Sequence, residues 1–143
     1  MKAYSKERLD NAIAFFVHEH YHKTKRQLPQ TKLWKYLAYF ELDMLKKTGV
    51  PPLELEYTAW ERGPVPTQLR ESIIDKTYLN DLILINIEEK EGKKYINICP
   101  KKNTDYDLDY FSENEIEEMF NLIEIFADSF VTANDMSDAT HKS

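Results

Sequence analysis

The stretch Gly63 to Pro66, which reads Gly-Pro-Val-Pro, constrains the fold most, because it separates two different hydrophobic patterns. Residues 53–60 alternate with period two, which is typical of a half-exposed strand, and residues 67–79 return to helical spacing. Glycine can adopt positive φ, while proline fixes φ and removes a backbone donor. The pattern therefore predicts a strand, a rigid corner and then a helix.

The predicted corner has two interpretations, and the residues alone leave both open. It can be purely architectural, fixing the angle between the strand and the helix. It can instead be a rigid recognition loop, because Trp60 and Arg62 flank it and these residue types are enriched where partners bind. In that case we expect the partner to contact Trp60, Arg62, Gly63, Pro64, Val65 and Pro66.

Two helices are predicted before the corner. The first has Ser5 as its N-cap, ends before Pro29, and carries one apolar face formed by Leu9, Ile13, Phe16, Val17 and His20. The second covers residues 31–48, with Gly49 in the left-handed position beyond it. Its apolar stripe consists of Leu33, Leu37, Phe40, Met44 and Leu45. Aromatic residues broaden that stripe, so we expect this helix to be central.

The second half of the chain predicts a β-hairpin that turns at Glu91-Gly92, followed by a capped helix. Ser112 and Glu115 form the capping box of that helix. Its apolar stripe is Ile116, Met119, Phe120, Ile123, Phe126, Ala127 and Phe130, and a last short helix is expected from Thr132 through Thr140. The elements together predict an α+β fold, a mainly helical single domain over residues 1–143 with one strand before the Gly-Pro-Val-Pro turn and a two-stranded antiparallel hairpin.

Composition and charge limit the classes of function. The 143 residues are 42% hydrophobic and 31% charged, as in a soluble globular domain. Residues through Val50 hold ten Lys and Arg against five Asp and Glu, and later residues hold nine against twenty. The two parts can attract each other within the fold, or the acidic part can face a basic partner. The balance argues against nucleic acid. A lone Cys99 and no apolar signal or membrane segment favour the cytoplasm.

Two short motifs could carry metal chemistry, and both fail on context. Residues 18–22 match the H-E-x-x-H zinc motif, but only seventeen residues precede His18, and the sole remaining histidine is His141. We expect solvated imidazoles at a polar helix end. Residues 105–116 begin like a calcium loop, yet they lack the required glycine and glutamate. The sequence therefore predicts no catalytic residue, metal or cofactor.

Residues 31–73, "TKLWKYLAYFELDMLKKTGVPPLELEYTAWERGPVPTQLRESI", resemble the Panacea domain of SocA-like antitoxins. The family combines a Lys-Leu-Leu-Tyr-Phe-like helix, a glycine, a strand and a Gly-Pro-Val turn. The later "YFSENEIEEMF" and "MSDATH" are similar to its capped helix and its Leu-Ser-x-x-(Ser/Thr)-His ending, although Met136 takes the leucine place. The matching family or structural positions are Lys35, Leu37, Tyr39, Phe40, Gly49, Tyr57, Gly63, Pro64, Val65 and His141.

The resemblance implies a bacterial or prophage protein, not an enzyme, that binds a toxin encoded beside it and blocks it by direct contact. One mode described for the family is adaptor-like and delivers the toxin to a protease. Two other hypotheses stay open: a winged-helix-like DNA-binding regulator of a phage or mobile element, with residues 67–79 as the reading helix, and a zinc hydrolase built on His18 to His22.

Overall fold

The computed structural model describes residues 3–127, which fold into four α-helices and two small antiparallel sheets. The helices are α1 Ser5–Thr24, α2 Gln30–Thr48, α3 Thr67–Ile74 and α4 Glu113–Phe126, with a short 3-10 helix at Leu108–Tyr110. The strands are β1 Leu28–Pro29, β2 Thr58–Trp60, β3 Gly63–Val65, β4 Ile83–Lys90 and β5 Lys93–Pro100. This architecture confirms the predicted α+β, mainly helical fold.

Helix α1 is more deeply buried than its sequence predicts. Every residue from Asn11 to His18 is buried, so the helix packs on all sides rather than along one stripe. The Phe16 ring stacks on Tyr36 of α2, with ring centroids 4.9 Å apart. The predicted N-cap is wrong, because Ser5 is already the first helical residue and Tyr4 holds the cap position with φ 61° and no side-chain cap.

Helix α2 is central, as predicted, because α1, α4, β3, β1 and β5 all pack against it. The side chains that form its buried face are Leu33, Tyr36, Leu37, Phe40 and Met44. Leu45 was expected in this stripe but is exposed. Gly49 has φ 80° and its N–H donates to the Leu45 carbonyl, which confirms the left-handed end of the helix.

The predicted β4–β5 hairpin is confirmed over its full length. Glu91 and Gly92 form the turn with φ values of 52° and 77°, so both residues are in the left-handed region that such two-residue turns require. The short strand β1 pairs with the other edge of β5, with Leu28 opposite Ile98. The resulting sheet order is β1-β5-β4.

Helix α4 begins with the predicted capping box, in which Ser112 and Glu115 satisfy each other's backbone N–H groups. Its buried face is Met119, Leu122, Ile123 and Phe126. Phe120 was expected in the stripe but is 41% exposed, although its ring meets Phe15 edge-on. Phe130 and the last predicted helix, Thr132 to Thr140, lie outside the described residues.

The acidic helix α4 is paired with the basic first third of the chain. Within residues 3–127, three ion pairs make this connection: Arg8–Glu115 at 2.7 Å, Lys47–Glu118 at 3.1 Å and Lys23–Glu124 at 3.4 Å. Arg8 also donates to the Tyr110 and Pro52 carbonyls, so it joins three segments. Part of the charge asymmetry is therefore used within the fold.

One carboxylate at the α2–α4 contact makes stability depend on pH. Burial raises the pKa of Asp43 to about 6, assisted by the hydrogen bond with Glu118 and by its charge. The pKa of Asp43 in the folded chain exceeds its ordinary value of 3.8, so protonated Asp43 favours the folded state. This stabilisation is fully present below about pH 4 and is lost as the pH rises through about 6. We expect Asp43→Asn to raise the melting temperature at pH 7.5 relative to wild type.

The measurement is thermal unfolding of both proteins between pH 4 and 8, with Glu117→Gln as a control because Glu117 is exposed on α4. The difference in melting temperature between wild type and Asp43→Asn should widen from pH 4 to pH 7.5, whereas the melting temperature of the control should follow that of wild type. A constant gap over that range would contradict the prediction.

Candidate functional site

The segment between α2 and the Gly-Pro-Val-Pro stretch is only partly a strand, so the predicted strand over 53–60 is too long. Only Thr58–Trp60 pairs as β2, and Glu54 has a positive φ of 56°. The N–H groups of Leu53 and Leu55 donate to the Glu41 carboxylate, at 2.9 and 3.3 Å. A buried side chain therefore takes the donors that a neighbouring strand would use. The period-two burial pattern persists without a sheet.

The Gly-Pro-Val-Pro stretch is one arm of a hairpin rather than a simple corner. Gly63–Val65 forms β3 and pairs antiparallel with β2, with Trp60 opposite Gly63. Glu61 and Arg62 form the turn, and Pro66 is the N-cap residue of α3. Proline is tolerated here because this ladder has only two strands and Pro64 lies at its edge. We call residues 58–65 the Gly-Pro hairpin.

Lys35 of α2 fastens this hairpin to the helical core. Its side chain is only 3% exposed, and its ammonium donates to the Arg62 carbonyl in the turn. Burial lowers the pKa of Lys35. Gly63 has φ 122°, and a Cβ at this position would overlap the Lys35 ammonium. The backbone conformation therefore favours glycine at position 63, and a Cβ there would force the Lys35 ammonium to move.

Glu41, also on α2, holds the other end of the segment. Besides the Leu53 and Leu55 amides, its carboxylate accepts a 2.7 Å hydrogen bond from the Tyr57 hydroxyl. Burial raises the pKa of Glu41, and these hydrogen bonds oppose that shift. Burial, together with the charge of Glu41, raises the pKa of Tyr57. Lys35 and Glu41 thus bind the segment 53–63 through its carbonyl and amide groups, respectively.

The Gly-Pro hairpin carries a partly exposed aromatic ring, Trp60, that packs against Arg70 of α3. Trp60 is 44% exposed, and the Arg70 guanidinium lies over its ring at 5.0 Å from the centroid. Arg70 is itself positioned by a 3.2 Å hydrogen bond from its Nε to Gln30. Arg62 is exposed at the turn beside Trp60.

The six predicted contact residues differ in exposure. Trp60 and Arg62 are exposed, Gly63 and Pro64 are half-buried, and Val65 and Pro66 are buried. A cavity of about 360 Å³ runs under the hairpin between Trp34, Lys35 and Trp60. Pro64 also lines an apolar groove of about 350 Å³ on the outer face of α2, which includes Leu42 and Leu45. The hairpin therefore lies between two concave surfaces.

The other predicted family positions have structural contacts where they are described. Tyr39 packs against Phe126 of α4 at 5.2 Å, and Phe40 is fully buried between Phe16 and Phe111. His141 lies outside the described residues, so its role stays a prediction.

The histidines at the end of α1 are arranged differently from the prediction of solvated imidazoles. His18 is buried and its Nε2 lies 2.8 Å from the Leu82 carbonyl. His20 is buried beside the Tyr36 hydroxyl, and burial, followed by the charge of Lys32, lowers its pKa to about 4. Only His22 is exposed, with Glu19 as its partner. Over residues 3–127, no group of three His, Cys, Asp or Glu side chains could hold a metal ion.

The acidic stretch before α4 has a local structural role. The Asp107 side chain accepts a hydrogen bond from the Asp109 amide and so caps the short 3-10 helix. The Asp107 amide in turn donates to Asn11 of α1. The stretch therefore joins α1 to the start of α4.

The family of the chain follows from a comparison with family models. The model of the antitoxin SocA-like Panacea domain matches residues 33–143. The chain belongs to this family. The match includes most of α2, the Gly-Pro hairpin and α4, and it supports an antitoxin-type role with a toxin as the partner. Searches of curated proteins and of solved structures give no significant match. Between residues 3 and 127, no helix is both long and apolar enough to span a bilayer.

The packing of Lys35 against Gly63 makes this glycine harder to replace than another glycine with positive φ. We expect Gly63→Ala to lower the free energy of unfolding by about 2–4 kcal/mol, because it adds backbone strain and displaces the buried ammonium from its carbonyl. Gly92→Ala is the matched control: φ is 77° there, and no atom lies within 4 Å of the added Cβ. Its cost should be about 1–2 kcal/mol.

Urea unfolding of the two variants provides the comparison. The prediction is wrong if Gly63→Ala lowers the free energy of unfolding by no more than Gly92→Ala does.

Proposed function

We propose that this Panacea-family chain is a non-enzymatic antitoxin that neutralises a cognate toxin by direct contact, and that the Gly-Pro hairpin is part of the contact surface. The observation that carries the proposal is the fixed, exposed Trp60 beside Arg62 on a hairpin whose backbone is held by buried Lys35. Family membership supplies the class of partner.

The geometry favours binding because the hairpin is ordered before a partner arrives. Ordering a flexible loop and its side chains on binding costs free energy that reduces affinity. Here the Arg62 carbonyl, the Tyr57 hydroxyl and the Trp60 ring already have partners within the chain. A toxin that covers Trp60 would therefore gain the burial of an aromatic ring at a low ordering cost.

Neutralisation can follow from contact in two ways. The bound antitoxin can cover the toxin's active surface, or it can act as an adaptor that delivers the toxin to a protease. Both versions require the same first step, a stable complex. They differ in whether the toxin persists in cells, which a protein-level time course after co-expression distinguishes.

A DNA-binding regulator is the second candidate, and one observation favours it. Helices α1, α2 and α3 precede the β4–β5 hairpin, and β1 completes a three-stranded sheet of order β1-β5-β4. Helices followed by such a hairpin can dock on DNA in winged-helix proteins. However, Glu71 on α3 and Asp75 just after it are exposed, and their carboxylates would face phosphates. Steeply salt-dependent binding to its own promoter would favour this candidate.

The test of the proposal is co-expression of the chain with the open reading frame that lies next to its gene. We expect that the neighbouring product is toxic alone and that wild-type chain restores growth and co-purifies with it. Trp60→Ala/Arg62→Ala, which leaves Gly63 and Lys35 intact, should lose most of the rescue and weaken the complex by about tenfold or more, as for central interface residues.

Tyr21→Ala/Arg26→Ala is the matched control, because it removes an exposed aromatic residue and an exposed arginine near the end of α1. This variant should rescue like wild type, and both variants should keep the wild-type melting transition. Full rescue by folded Trp60→Ala/Arg62→Ala would restrict the hairpin to an architectural role, and failure of the wild type to rescue or form a complex would contradict the antitoxin proposal.

A further inference from the structure

A third concave surface lies on the side of the Gly-Pro hairpin that faces the β4–β5 turn. It is a groove of about 720 Å³ between the start of α2, the hairpin turn, α3 and the beginning of β5. The lining residues whose side chains carry charge are Arg62, Arg70, Lys93, Lys94 and Glu71. We call this surface the basic groove.

The basic groove concentrates positive charge on a chain whose formal net charge is -6. Its four cations come from three separate segments: the hairpin turn, α3 and the start of β5. One carboxylate on its wall, Glu71, lies 3.7 Å from Arg70. No signal in the local sequence marks the groove, because the cations are up to 32 residues apart.

Two of the cations, Lys93 and Lys94, make no ion pair with another residue between 3 and 127. Both are exposed just after the turn at Gly92, and Lys94 lies opposite Glu89 in the β4–β5 ladder. The groove also holds the first two residues of α2, Gln30 and Thr31, and this helix has neither a side-chain cap nor an acidic residue in its first turn. The helix dipole therefore adds positive potential to that of the side chains.

Aromatic surface lies beside the charges. Tyr95 is 46% exposed and lines the groove, while Trp60 packs on Arg70 at its wall. A groove with cations and flat apolar rings suits a partner segment that combines carboxylates with apolar side chains. Because the groove continues onto the Gly-Pro hairpin at Arg62, one partner can contact both surfaces.

We infer that the basic groove binds an acidic segment of the protein partner, a stretch rich in Asp and Glu on the toxin; this inference rests on the proposed antitoxin function. A protein segment fits better than nucleic acid for two reasons. Glu71 in the groove and Asp75 beyond it would repel a continuous phosphate backbone. The excess of carboxylates over the rest of the chain would repel a long polyanion but not a short acidic segment.

The direct test uses a hexaglutamate peptide as the probe and follows tryptophan fluorescence, since both tryptophans, Trp34 and Trp60, lie along the hairpin cavity. Wild type should bind the peptide with an affinity that falls as salt is raised. Lys93→Glu/Lys94→Glu should weaken binding by about tenfold or more, because four units of charge change in the groove. In Lys93→Glu/Lys94→Glu, the glutamate introduced at position 94 would lie opposite Glu89 and can destabilise the hairpin by repulsion. The neutral variant Lys93→Gln/Lys94→Gln avoids this repulsion and should show an intermediate loss of affinity for hexaglutamate.

Lys101→Glu/Lys102→Glu is the matched control, because it makes the same change of net charge at exposed positions outside the groove. Its affinity for hexaglutamate should lie within about twofold of the wild-type affinity, because salt screens charges that are distant from the groove. Equal losses in both double variants would overturn the inference, because binding would then follow net charge alone. Tighter binding of hexadeoxythymidine than of hexaglutamate would also overturn it in favour of nucleic acid.

The co-expression assay separates this inference from the function on which it rests. Reduced rescue by folded Lys93→Glu/Lys94→Glu, with full rescue by the Lys101→Glu/Lys102→Glu control, supports the acidic segment. If both variants rescue like wild type, the antitoxin function stands and the acidic segment is wrong. If the wild type gives no rescue, the antitoxin function is wrong. The claim that the groove binds an acidic segment of a toxin is then overturned as well, even if the groove binds hexaglutamate.

Discussion

Two buried charges on α2 hold the part of the molecule on which the rest of the functional surface depends. Lys35 binds the Arg62 carbonyl, and Glu41 binds the amides of Leu53 and Leu55. Burying either charge without hydrogen bonds would cost several kcal/mol, so each side chain needs the backbone that it holds. The segment between α2 and α3, which has little regular structure of its own, is in this way fixed against the core.

This arrangement explains how a short hairpin can present a defined surface. A ladder of three residues on each strand is too small to be stable alone. Lys35 binds the turn of the hairpin, and Arg70 of α3 packs on Trp60. Tyr57, which directly precedes the hairpin, donates a hydrogen bond to Glu41. Concave surfaces border the hairpin. The outer face of α2 supplies an apolar one, and the β4–β5 turn helps to build a basic one.

The sequence predicted those features that local chemistry determines. The capping box at Ser112, the turn at Gly92 and the end of α2 at Gly49 each depend on a few neighbouring residues, and all three are confirmed. The features that it did not predict depend on partners distant in the chain. Residues 53–57 alternate like a strand, but Glu41 binds the amides of Leu53 and Leu55. The end of α1 looks polar, but His18 is buried against Leu82 and His20 against Tyr36. Glycine and proline marked the Gly-Pro-Val-Pro stretch as a corner, although it is one arm of a hairpin. The basic groove arises only when three segments meet.

Hydrogen exchange in a Lys35→Met variant tests most directly whether the buried lysine fixes the hairpin. Methionine keeps much of the length and apolar packing of the lysine stem but cannot donate to Arg62. We expect amide protection over residues 53–65 to fall by about tenfold or more, because a buried charge-assisted hydrogen bond is lost. Protection in β4, β5 and α4 should stay within about twofold of wild type, because the lost hydrogen bond joins Lys35 to the hairpin turn and not to those elements. Unchanged protection over 53–65, or a uniform loss along the whole chain, would contradict the claim that Lys35 holds this segment specifically.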